Sequence, residues 1–555
     1  MNSMKKSGSE YIAEFLESKN IDTVFTVAGD HILHLMDVLS NRGFRFVDTR
    51  HEQAAVDMAN AWGRIKNTPG ISMFTTPGHA NAIPGLTLAH QQLSPVINIS
   101  GCADSKFLGM GAPQEIDQIG MAAPVTKKSS MILNGNHLLS ELESSYQLSL
   151  SGRRGPTHLT IPVDIQTGFY DSDDISVQKR GNISVQLAAD DDVYKCYEFI
   201  EKSSNPVFIL GNGAHDVIQS DIEGIVETLN CPVLNEMSAR GVIPDSHELS
   251  YGLSDQRANP TARAMSEADL IILLGKELDF TLDYGSPPTI SKNTKIIQID
   301  PDEIILSRSK RTDFSLLCSV GVFVSQLNHL LGTKNVTKKD PEIIKTFKNN
   351  YIQHMDYLKS LTGKGESIHS MDVHREMSKL LDDKNCLIFE GSDFAFYGAS
   401  FYPSERSDRW FVNGVLGMIG WGVPYGIGAK VALPDEQVIV FTGDGASGFN
   451  LMEIDTAVRN NINAKIIIGC DSVWGIDYHQ QVQFFENPVA TTLNFVNYEN
   501  IAKSVGAYGD LIEKKSELGI KLKKFLDHKG PGILNIKTEP SPSPLTQHIL
   551  NTKEY

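Results

Sequence analysis

The sequence predicts an α/β protein built from three doubly wound parallel-sheet domains. Short runs rich in Val and Ile recur along the chain, and each is followed by a polar or glycine-containing turn and then by a stretch with helical periodicity. This is the pattern of βαβ units with buried parallel strands. The length of 555 residues corresponds to several domains of ordinary size. We therefore expect functional sites between domains.

The composition excludes several classes of protein. With 41% hydrophobic and 21% charged residues the chain is typical of globular proteins, and a net charge of −17 disfavours binding to nucleic acids or to anionic membrane surfaces. The six cysteines form no CxxC pair, which favours reduced thiols. The first residues contain no apolar signal segment, and no run approaches the roughly 18 residues that span a bilayer. We expect a cytoplasmic protein without nucleic-acid or membrane partners.

Three series of strands divide the chain into three units. We place the first at 1–175, the second at 190–335 and the third at 365–545, with a polar connector over 168–192 and a Lys-rich segment over 332–342. The apolar runs that define the units are TVFTV (23–27), FRFVDTR (44–50), ISMFTT (71–76), PVINIS (95–100), PVFIL (206–210), CPVLNEMS (231–238), DLIILLG (269–275), KIIQID (295–300), CLIFE (386–390), QVIVFTG (437–443), AKIIIGC (464–470) and GILNIK (532–537).

The most informative stretch is 437–475 in the third unit. One apolar strand ends at Gly443-Asp444-Gly445, a helix with Leu451, Ile454 and Val458 on one face follows, and a second strand ends at Cys470-Asp471. The carboxyl ends of neighbouring parallel strands face one crevice, so we expect the two carboxylates to meet there. Glycines beside a helix N-terminus admit a phosphate, and Mg²⁺ prefers carboxylate and phosphate oxygens. The alternative is a tight turn with a strand-end cap.

This stretch resembles the cofactor motif of the thiamine diphosphate enzymes related to acetolactate synthase and pyruvate decarboxylase. That family carries GDG and a downstream Asn-Asn, where this chain has Cys470-Asp471. The resemblance implies that Mg²⁺ binds to Asp444, Asp471 and the backbone carbonyl of Val473. It also implies that 1–175 is the pyrimidine-binding domain, 190–335 the middle domain and 365–545 the diphosphate- and Mg²⁺-binding domain.

Two further segments resemble the same family. VDTRHEQAAVDMANAWGRI (47–65) is similar to its RHEQxA segment, which implies that Glu52 is the acid that contacts the aminopyrimidine ring. NGVLGMIGWGVPYGIGAKVALP (413–434) is similar to its GxMGxGLPxAIGA segment. There, Ile419 would separate the two cofactor rings and Gly417 would accept a hydrogen bond from the amino group. The remaining cofactor contacts are expected from Gly443, Asp444, Gly445, Ala446, Ser392 and Trp474. Outside this context, a Glu in a first helical turn and glycines that permit helix packing would be ordinary structural features.

The cofactor carries out most of the chemistry of such enzymes, so pocket residues select the reaction. Our candidates for direct roles are Asp30, His31, Gln114 and Asp477, and weaker candidates are His79, Trp474, His479 and Gln480; each could instead be a satisfied structural polar group. PQEIDQIG (113–120) resembles a segment of acetolactate synthases, but Pro113 replaces a phenylalanine. The same segment, GDHI (29–32) and SVWG (472–475) also resemble benzaldehyde lyase and 2-hydroxyacyl-CoA lyases. The adjacent histidines of simple pyruvate decarboxylases are absent from 103–118.

The middle unit contains half of a dinucleotide fingerprint. Gly211-Asn212-Gly213 follows a strand, and Asp300 ends another, but the third glycine is missing. Ordinary strand-end turns explain these residues equally well. Some relatives carry FAD or ADP here, and Arg153 and Arg154 could contact the phosphates.

The leading hypothesis is a thiamine diphosphate- and Mg²⁺-dependent enzyme that decarboxylates a 2-oxo acid such as pyruvate and ligates the acyl anion to a second carbonyl, as acetolactate synthase does. One alternative is a 2-hydroxyketone or 2-hydroxyacyl-CoA lyase. Another is a catalytically silent homologue that only binds the cofactor, which the change at Cys470-Asp471 suggests and the presence of Glu52 disfavours. The resemblance implies a homodimer or homotetramer in which Glu52 of one subunit faces the GDG unit of another.

Overall fold

The structure is a computed structural model that describes residues 5–171, 175, 185–334, 336, 338–339 and 341–552. It contains three parallel six-stranded sheets flanked by helices, which confirms the predicted fold class. The predicted connector at 168–192 and the Lys-rich segment at 332–342 lie partly outside the described residues. Where the chain after 168 is described, a short strand pairs antiparallel with a strand near the N-terminus.

The first domain begins with that short pair and then alternates strands and helices. Its strands are β1 (Lys6–Ser7), β2 (Thr23–Thr26), β3 (Arg45–Asp48), β4 (Gly70–Phe74), β5 (Val96–Cys102), β6 (Lys128–Met131), β7 (Thr157–Pro162) and β8 (Phe169–Tyr170). Its helices are α1 (Gly8–Ser18), α2 (Leu33–Asn41), α3 (Glu52–Lys66), α4 (Thr76–Gln91), α5 (Gln118–Ala122), α6 (Leu138–Leu150) and α7 (Val163–Thr167). The strands of the predicted apolar runs are thus present, and Glu52 is the first residue of α3.

The middle domain follows the same alternation with shorter helices. Its strands are β9 (Pro206–Leu210), β10 (Val233–Asn235), β11 (Ser250–Leu253), β12 (Leu270–Leu274), β13 (Lys295–Asp300) and β14 (Phe314–Leu317). Its helices are α8 (Asp190–Lys202), α9 (Gln219–Leu229), α10 (Glu303–Ser307) and α11 (Val320–Thr333), and α12 (Ile343–Ser360) leads to the third domain.

The third domain contains the GDG stretch. Its strands are β15 (Cys386–Glu390), β16 (Trp410–Val412), β17 (Val438–Gly443), β18 (Lys465–Cys470), β19 (Tyr508–Ile512) and β20 (Gly532–Lys537). Its helices are α13 (Ser370–Ser378), α14 (Asp393–Phe401), α15 (Gly422–Ala432), α16 (Asp444–Ser447), α17 (Glu453–Arg459), α18 (Gly475–Phe485), α19 (Tyr498–Ser504), α20 (Leu518–Asp527) and α21 (Pro544–Thr552).

The single helix predicted after the GDG turn is wrong in its extent. The structure has the one-turn α16, then a turn that includes Leu451, and then α17. In that turn the Asn450 side-chain amide donates a 2.6 Å hydrogen bond to the carbonyl of Gly420 in a neighbouring loop. This bond to a distant segment holds Asn450 outside a regular helix, which a local apolar pattern does not reveal.

The strand orders show that the first and third domains share one topology. Numbering the six strands of each sheet along the chain gives 2-1-3-4-6-5 for both, whereas the middle sheet has the order 3-2-1-4-5-6. The second order is that of dinucleotide-binding sheets, in which ligands occupy the crevice where the strand order reverses. All three sheets therefore offer a binding crevice at the carboxyl ends of their strands.

The first and third domains pack against each other through α3 and α15. A Cβ atom built on Gly428 in α15 would lie 2.4 Å from the carbonyl oxygen of Met58 in α3, so only glycine permits this approach. One apolar core runs continuously through both domains. At its edge Arg50 pairs with Asp455 and Arg459 pairs with Asp48. These contacts fix the start of α3 relative to the third domain, which carries Asp444.

All six cysteines are buried and none forms a disulfide. In the part of the chain that the structure describes, each helix is too short or too polar to cross a bilayer.

Candidate active site

A cavity of about 410 Å³ lies at the carboxyl ends of the strands of the third sheet, where the middle domain faces them. The loops after β15, β16, β17 and β18 form one wall. Predicted residues in this wall are Ser392, Gly417, Ile419, Asp444, Gly445, Ala446, Val473, Trp474 and Asp477. The structure therefore brings together most of the residues that the third domain was predicted to supply.

Asp444 is held in this wall by hydrogen bonds to its carboxylate and to its backbone carbonyl. Its Oδ2 accepts hydrogen bonds from the Ser472 backbone N–H at 2.9 Å and from the Cys470 thiol at 3.4 Å, and its Oδ1 accepts from the Gly445 N–H at 2.9 Å. Tyr498 donates to its backbone carbonyl at 3.0 Å. Burial raises the pKa of the Cys470 thiol to about 12, so the thiol remains protonated and can donate. Cys470 is thus suited to orient the carboxylate.

Asp471 follows on the adjacent strand, because β17 and β18 pair with Gly443 opposite Gly469. Its Oδ1 accepts the Val473 N–H at 3.2 Å. Burial and then the charge of Asp444 raise the pKa of Asp471 to about 8. Among the described residues no Lys, Arg or His forms an ion pair with either carboxylate. Two buried acids without a cation form a site that a divalent cation would stabilise.

The donor set fits Mg²⁺ only if other oxygens complete it. No group of three or more His, Cys, Asp or Glu side chains that could hold a metal occurs within the described residues. Two carboxylates with backbone carbonyl and ligand phosphate oxygens are, however, the arrangement that Mg²⁺ adopts at phosphate sites. The Asp444 and Asp471 pair is compatible with that role.

Several residues around the cavity have positive φ, a backbone conformation that residues with a Cβ atom rarely adopt. Ser392 has φ +132° and Ser472 has φ +63°, and positive φ at residues other than glycine costs on the order of 1–3 kcal/mol. Gly414 and Gly417 have φ +69° and +66°, and a Cβ atom at either would meet nothing within 4 Å. Their conformation, not crowding, therefore requires glycine.

Ile419 and Trp474 frame the cavity. A Cβ atom on Gly391 would lie 2.6 Å from the Ile419 side chain, and one on Gly445 would lie 2.5 Å from the Trp474 ring. Trp474 therefore covers the start of α16. Gly443, which does not line the cavity, is fully buried beneath Ser392.

Glu52, Asp30, His31 and Gln114 do not line this cavity in a single chain. Glu52 Oε2 accepts a 3.0 Å hydrogen bond from the Asn81 amide in α4. Asp30 and His31 lie in a short turn after β2, where burial lowers the pKa of His31. Gln114 is exposed, with φ +60°. The candidates from the first domain thus remain outside the third-domain cavity.

The weaker histidine candidates lie outside the cavity wall. His79 is a fully buried residue of α4 whose ring centroid lies 4.1 Å from that of His158, and burial lowers its pKa to about 4, so it is a neutral core residue. His479 Nε2 lies 3.9 Å from Oδ2 of the buried Asp393, beneath the start of α18. The Gln480 amide donates to the carbonyl of Ile476 within the same helix.

Sequence reasoning missed several residues of the cavity. The middle domain contributes Arg257, which lies over the Phe280 ring and binds Asp255 through Nε and Nη2, and the C-terminal α21 contributes Leu545 and Ile549. Asn413 also lines the wall, directly before the glycine-rich loop. No local motif marks the middle-domain residues, since only the packing of the domains brings them to the cavity.

The middle-domain residues expected to contact FAD or ADP have partners within the chain. A Cβ atom on Gly211 would lie 2.3 Å from Cα of Lys276, and one on Gly275 would lie 2.5 Å from the backbone carbon of Gly213, so the turns after the paired strands β9 and β12 pack against each other. Asp300, at the end of β13, is held by Arg153 through 3.0 and 2.7 Å bonds. The turn and the carboxylate expected to bind a nucleotide are therefore engaged within the chain.

Three protein-family models match the chain in the order found here. The N-terminal TPP binding domain of thiamine pyrophosphate enzymes matches 6–121, the central domain of these enzymes matches 193–327, and their C-terminal TPP binding domain matches 391–536. The third match contains the cavity wall with Asp444 and Asp471. The first contains Glu52.

Full-length relatives agree with these matches. The chain is 28% identical to acetolactate synthase large subunit IlvG of Mycobacterium tuberculosis, over 96% of this chain and 95% of the relative. It is 26% identical to acetolactate synthase isozyme 1 large subunit of Escherichia coli, over 96% and 94%. It is also 26% identical to 2-hydroxyacyl-CoA lyase 2 of Caenorhabditis elegans, over 92% and 85%. The chain therefore belongs to the superfamily of thiamine diphosphate-dependent enzymes.

Proposed function

We propose that this enzyme uses thiamine diphosphate and Mg²⁺ to decarboxylate a 2-oxo acid such as pyruvate and to ligate the product to a second carbonyl, as an acetolactate synthase does. The observation that carries the proposal is the third-domain cavity, which Asp444, a glycine loop with positive φ and the bulky apolar side chain of Ile419 line, with Asp471 on the strand end next to Asp444. Two acetolactate synthases that align over nearly the whole chain support the choice of reaction.

In this proposal the third domain holds the cofactor. Asp444, Asp471 and the Val473 carbonyl bind Mg²⁺, while Ser392 and the N–H groups of the turn from Gly443 to Ala446 face the diphosphate. Ile419 separates the rings and Gly417 accepts from the amino group, with Trp474 covering the turn. When bound, thiamine diphosphate supplies a carbon nucleophile that stabilises the negative charge left after a carbon–carbon bond breaks.

The first domain supplies the acid. We propose that Glu52 donates its proton to the aminopyrimidine ring of a cofactor held by a partner subunit, because it lies outside the cavity of its own chain. Asp30, His31 and Gln114 would reach the substrate from the same side, and Asp477 from the third domain. These polar groups would hold or move protons at the substrate carbonyl.

Exposed apolar side chains support a homodimer or homotetramer. On the first domain they include Leu33, Phe107, Met110, Ile116 and Met121, close in sequence to Asp30 and Gln114. On the third domain they include Leu416, Phe449, Met452 and Phe485, close in sequence to the cavity residues. Two apolar surfaces of this kind, one on each side of the divided site, are expected to become buried between subunits.

The alternative is a 2-hydroxyketone or 2-hydroxyacyl-CoA lyase, which the relative from Caenorhabditis elegans favours. A silent homologue is disfavoured because Glu52 and both carboxylates are present. We propose that neither FAD nor ADP is used, since Arg153 and Asp300, two of the residues expected to contact the nucleotide, bind each other. We retain the domain bounds 1–175, 190–335 and 365–545. A cytoplasmic location remains our proposal, supported by six buried, unpaired cysteines.

The test of the catalytic assignment is Glu52→Gln. We expect this variant to retain the cofactor and to lose hydrogen–deuterium exchange at the cofactor C2 by about 100-fold or more, the usual contribution of a general acid–base group. Proton NMR of the quenched cofactor measures this exchange. Glu17→Gln, on the exposed surface of the same domain, is the control. Unchanged exchange in Glu52→Gln would reject the role of Glu52.

The reaction is tested by products. Purified enzyme with thiamine diphosphate and Mg²⁺ is incubated in parallel with pyruvate, with benzoin and with a 2-hydroxyacyl-CoA. Carbon dioxide together with acetolactate from pyruvate supports the synthase, whereas aldehyde from either of the other compounds and no carbon dioxide supports the lyase. Absence of all products, with cofactor bound, would support the silent homologue.

A further inference from the structure

A second cavity, of about 210 Å³, lies where the three domains meet. Arg64 of α3 and Arg154, shortly before β7, reach it from the first domain. Asn212 and His215 line it from the turn after β9, and Asp408 lines it from the loop before β16. None of its lining residues lines the cofactor cavity. It is a separate, polar site.

Three polar atoms in this cavity are buried and have no hydrogen-bond partner among the described residues. They are Nε of Arg154, Nδ1 of His215 and the side-chain oxygen of Asn212. The His215 side chain is partly buried, and burial, followed by the charge of Arg154, lowers its pKa. Its ring is therefore neutral and can donate from Nδ1 in one tautomer. Since buried polar groups are normally paired, these atoms indicate a missing ligand.

The charges in the cavity do not balance. The side chain of Arg64 is paired with Asp408 at 3.0 Å. The next carboxylate that acts on Arg154 is Asp216, which already accepts hydrogen bonds from the Ser319 hydroxyl and the Gly321 N–H. No ion pair within 4.0 Å involves Arg154 among the described residues. Burial lowers the pKa of Arg154, which shows that its charged form is poorly compensated.

The neighbouring Arg153 is different, although it is adjacent in sequence. It binds Asp300 and Glu277 and donates to the Gly275 carbonyl, so all three of its nitrogens have partners. The unmatched positive charge at this junction is therefore that of Arg154. A buried cation without a counter-ion is unstable, and an anion bound beside it would remove that instability.

We propose that the three-domain cavity binds one phosphate-sized oxyanion between Arg154 and His215. Arg154 supplies a charge-assisted hydrogen bond from Nε and His215 donates from Nδ1. The Asn212 side chain can rotate its amide to donate as well, since the oxygen and nitrogen of an amide are assigned only from their partners. The volume is below the roughly 300 Å³ at which pockets for larger ligands begin, so the site suits a compact anion and excludes a nucleotide.

This site would stabilise the junction of the domains. Arg64 and Arg154 belong to the first domain, His215 to the middle domain and Asp408 to the third, so one bound anion compensates charge where all three meet. Anything that binds the folded protein alone shifts its unfolding to higher temperature. The proposal is independent of thiamine diphosphate, because the two cavities share no lining residue.

The test uses the full-length protein, first freed of phosphate by dialysis, and radiolabelled inorganic phosphate. Equilibrium dialysis should show one saturable site per chain, and the melting temperature should rise with phosphate until that site is full. Arg154→Met should lose the saturable binding and should melt at a higher temperature than wild type in phosphate-free buffer. His215→Phe should weaken binding at least about 10-fold, the effect of one lost hydrogen bond to an anion. Arg42→Met, on the surface of the first domain, should bind as wild type does.

The result that would overturn the proposal is the absence of saturable phosphate binding to the wild-type protein, which needs no variant to fold. Retention of the site in folded Arg154→Met would also overturn it. ADP and FAD are included as competitors. Displacement of phosphate by either, at lower concentration than unlabelled phosphate itself, would show a nucleotide site instead of the proposed one. Failure of both nucleotides to compete supports the compact site.

Discussion

The third and middle domains both place glycines and acidic residues at the carboxyl ends of parallel strands, yet the two regions differ in what surrounds the acids. In the third domain Asp444 lines a cavity and Asp471 follows the adjacent strand, and neither carboxylate forms an ion pair within the described part of the chain. In the middle domain Asp300 is fully buried and is bound by Arg153. The two regions are distinguished by whether a cationic side chain neutralises the acid, more than by the backbone topology.

The glycines of the two regions differ in the same way. Gly445 faces the cavity beneath the Trp474 ring, whereas Gly211 lies against the backbone of Lys276. The turn of the third domain therefore leaves space beside its acid, whereas the side of the middle-domain turn that faces the end of β12 is filled by protein. A glycine turn followed by an acid indicates a place where a site can form, and the partners of the acid decide whether it does.

The largest effect is expected from Asp444→Ala. Removing one of the two carboxylates proposed to hold Mg²⁺ should abolish retention of thiamine diphosphate after gel filtration in Mg²⁺-containing buffer, because the metal would be held too weakly to retain the diphosphate. Cofactor content per chain, measured by thiochrome fluorescence, is the readout. Asp527→Ala, on the exposed end of α20, is the control. Wild-type cofactor content in Asp444→Ala would place the metal elsewhere.

Arg153→Met tests the middle-domain side of the comparison. Removing one partner of a buried ion pair leaves an uncompensated charge, so the free energy of unfolding should fall by about 3–5 kcal/mol. Urea denaturation followed by circular dichroism measures this change. Replacing both partners, in Arg153→Met with Asp300→Leu, should recover most of the loss. A loss of cofactor affinity in folded Arg153→Met would show that the comparison is wrong, since this region is not expected to bind cofactor.

A third prediction concerns Glu453, a buried carboxylate whose oxygens accept from the Arg50 N–H and the Thr456 hydroxyl rather than from a cation. Burial raises its pKa from 4.5 to about 7. The folded state therefore favours the protonated form, so the contribution of Glu453 to stability is complete below about pH 4.5 and is lost as the pH rises to 7. Relative to Glu453→Gln, the wild type should lose about 3 kcal/mol over this range. Urea titrations of both proteins at pH 5 and pH 8 measure the free energy of unfolding. An equal change in this free energy between the two pH values for the wild type and Glu453→Gln would contradict the prediction.

The smallest effects are expected from alanine at the two glycines. Each added methyl group meets protein within 2.5 Å, and such overpacking costs about 1–3 kcal/mol. Gly445→Ala should weaken cofactor binding because it displaces Trp474, with little change in stability. Gly211→Ala should lower the melting temperature and leave cofactor binding unchanged. Isothermal titration with thiamine diphosphate measures the cofactor affinity of both variants, and thermal melts measure their stability. Equal changes of affinity and melting temperature in the two variants would contradict the distinction between the regions.

The features that could be predicted from the sequence are those with local signals. Buried parallel strands appear as apolar runs, so the three sheets were expected, and the adjacency of β17 and β18 followed from the order of strands. Glu52 was expected at the start of a helix because it directly follows a strand. These predictions require only a few neighbouring residues.

The remaining features depend on contacts between distant parts of the chain. Arg153 and Asp300 are 147 residues apart, and no local pattern indicates that the arginine occupies the carboxylate expected for a nucleotide. Arg257 and α21 reach the cofactor cavity only through domain packing. The break between α16 and α17 likewise depends on Asn450 and Gly420. The identity of the substrate is a property of such long-range contacts.

The separation of Glu52 from the cavity of its own chain has a genetic consequence. If two subunits complete each site, a Glu52→Gln chain and an Asp444→Ala chain, each inactive alone, would form mixed dimers in which one site receives two intact residues and the other receives two altered ones. Random assortment of equal amounts would restore about a quarter of wild-type activity. Two loss-of-function alleles of one gene would then complement each other. A chain that carries both changes would not regain activity when it is mixed with either single variant, because no site would receive two intact residues.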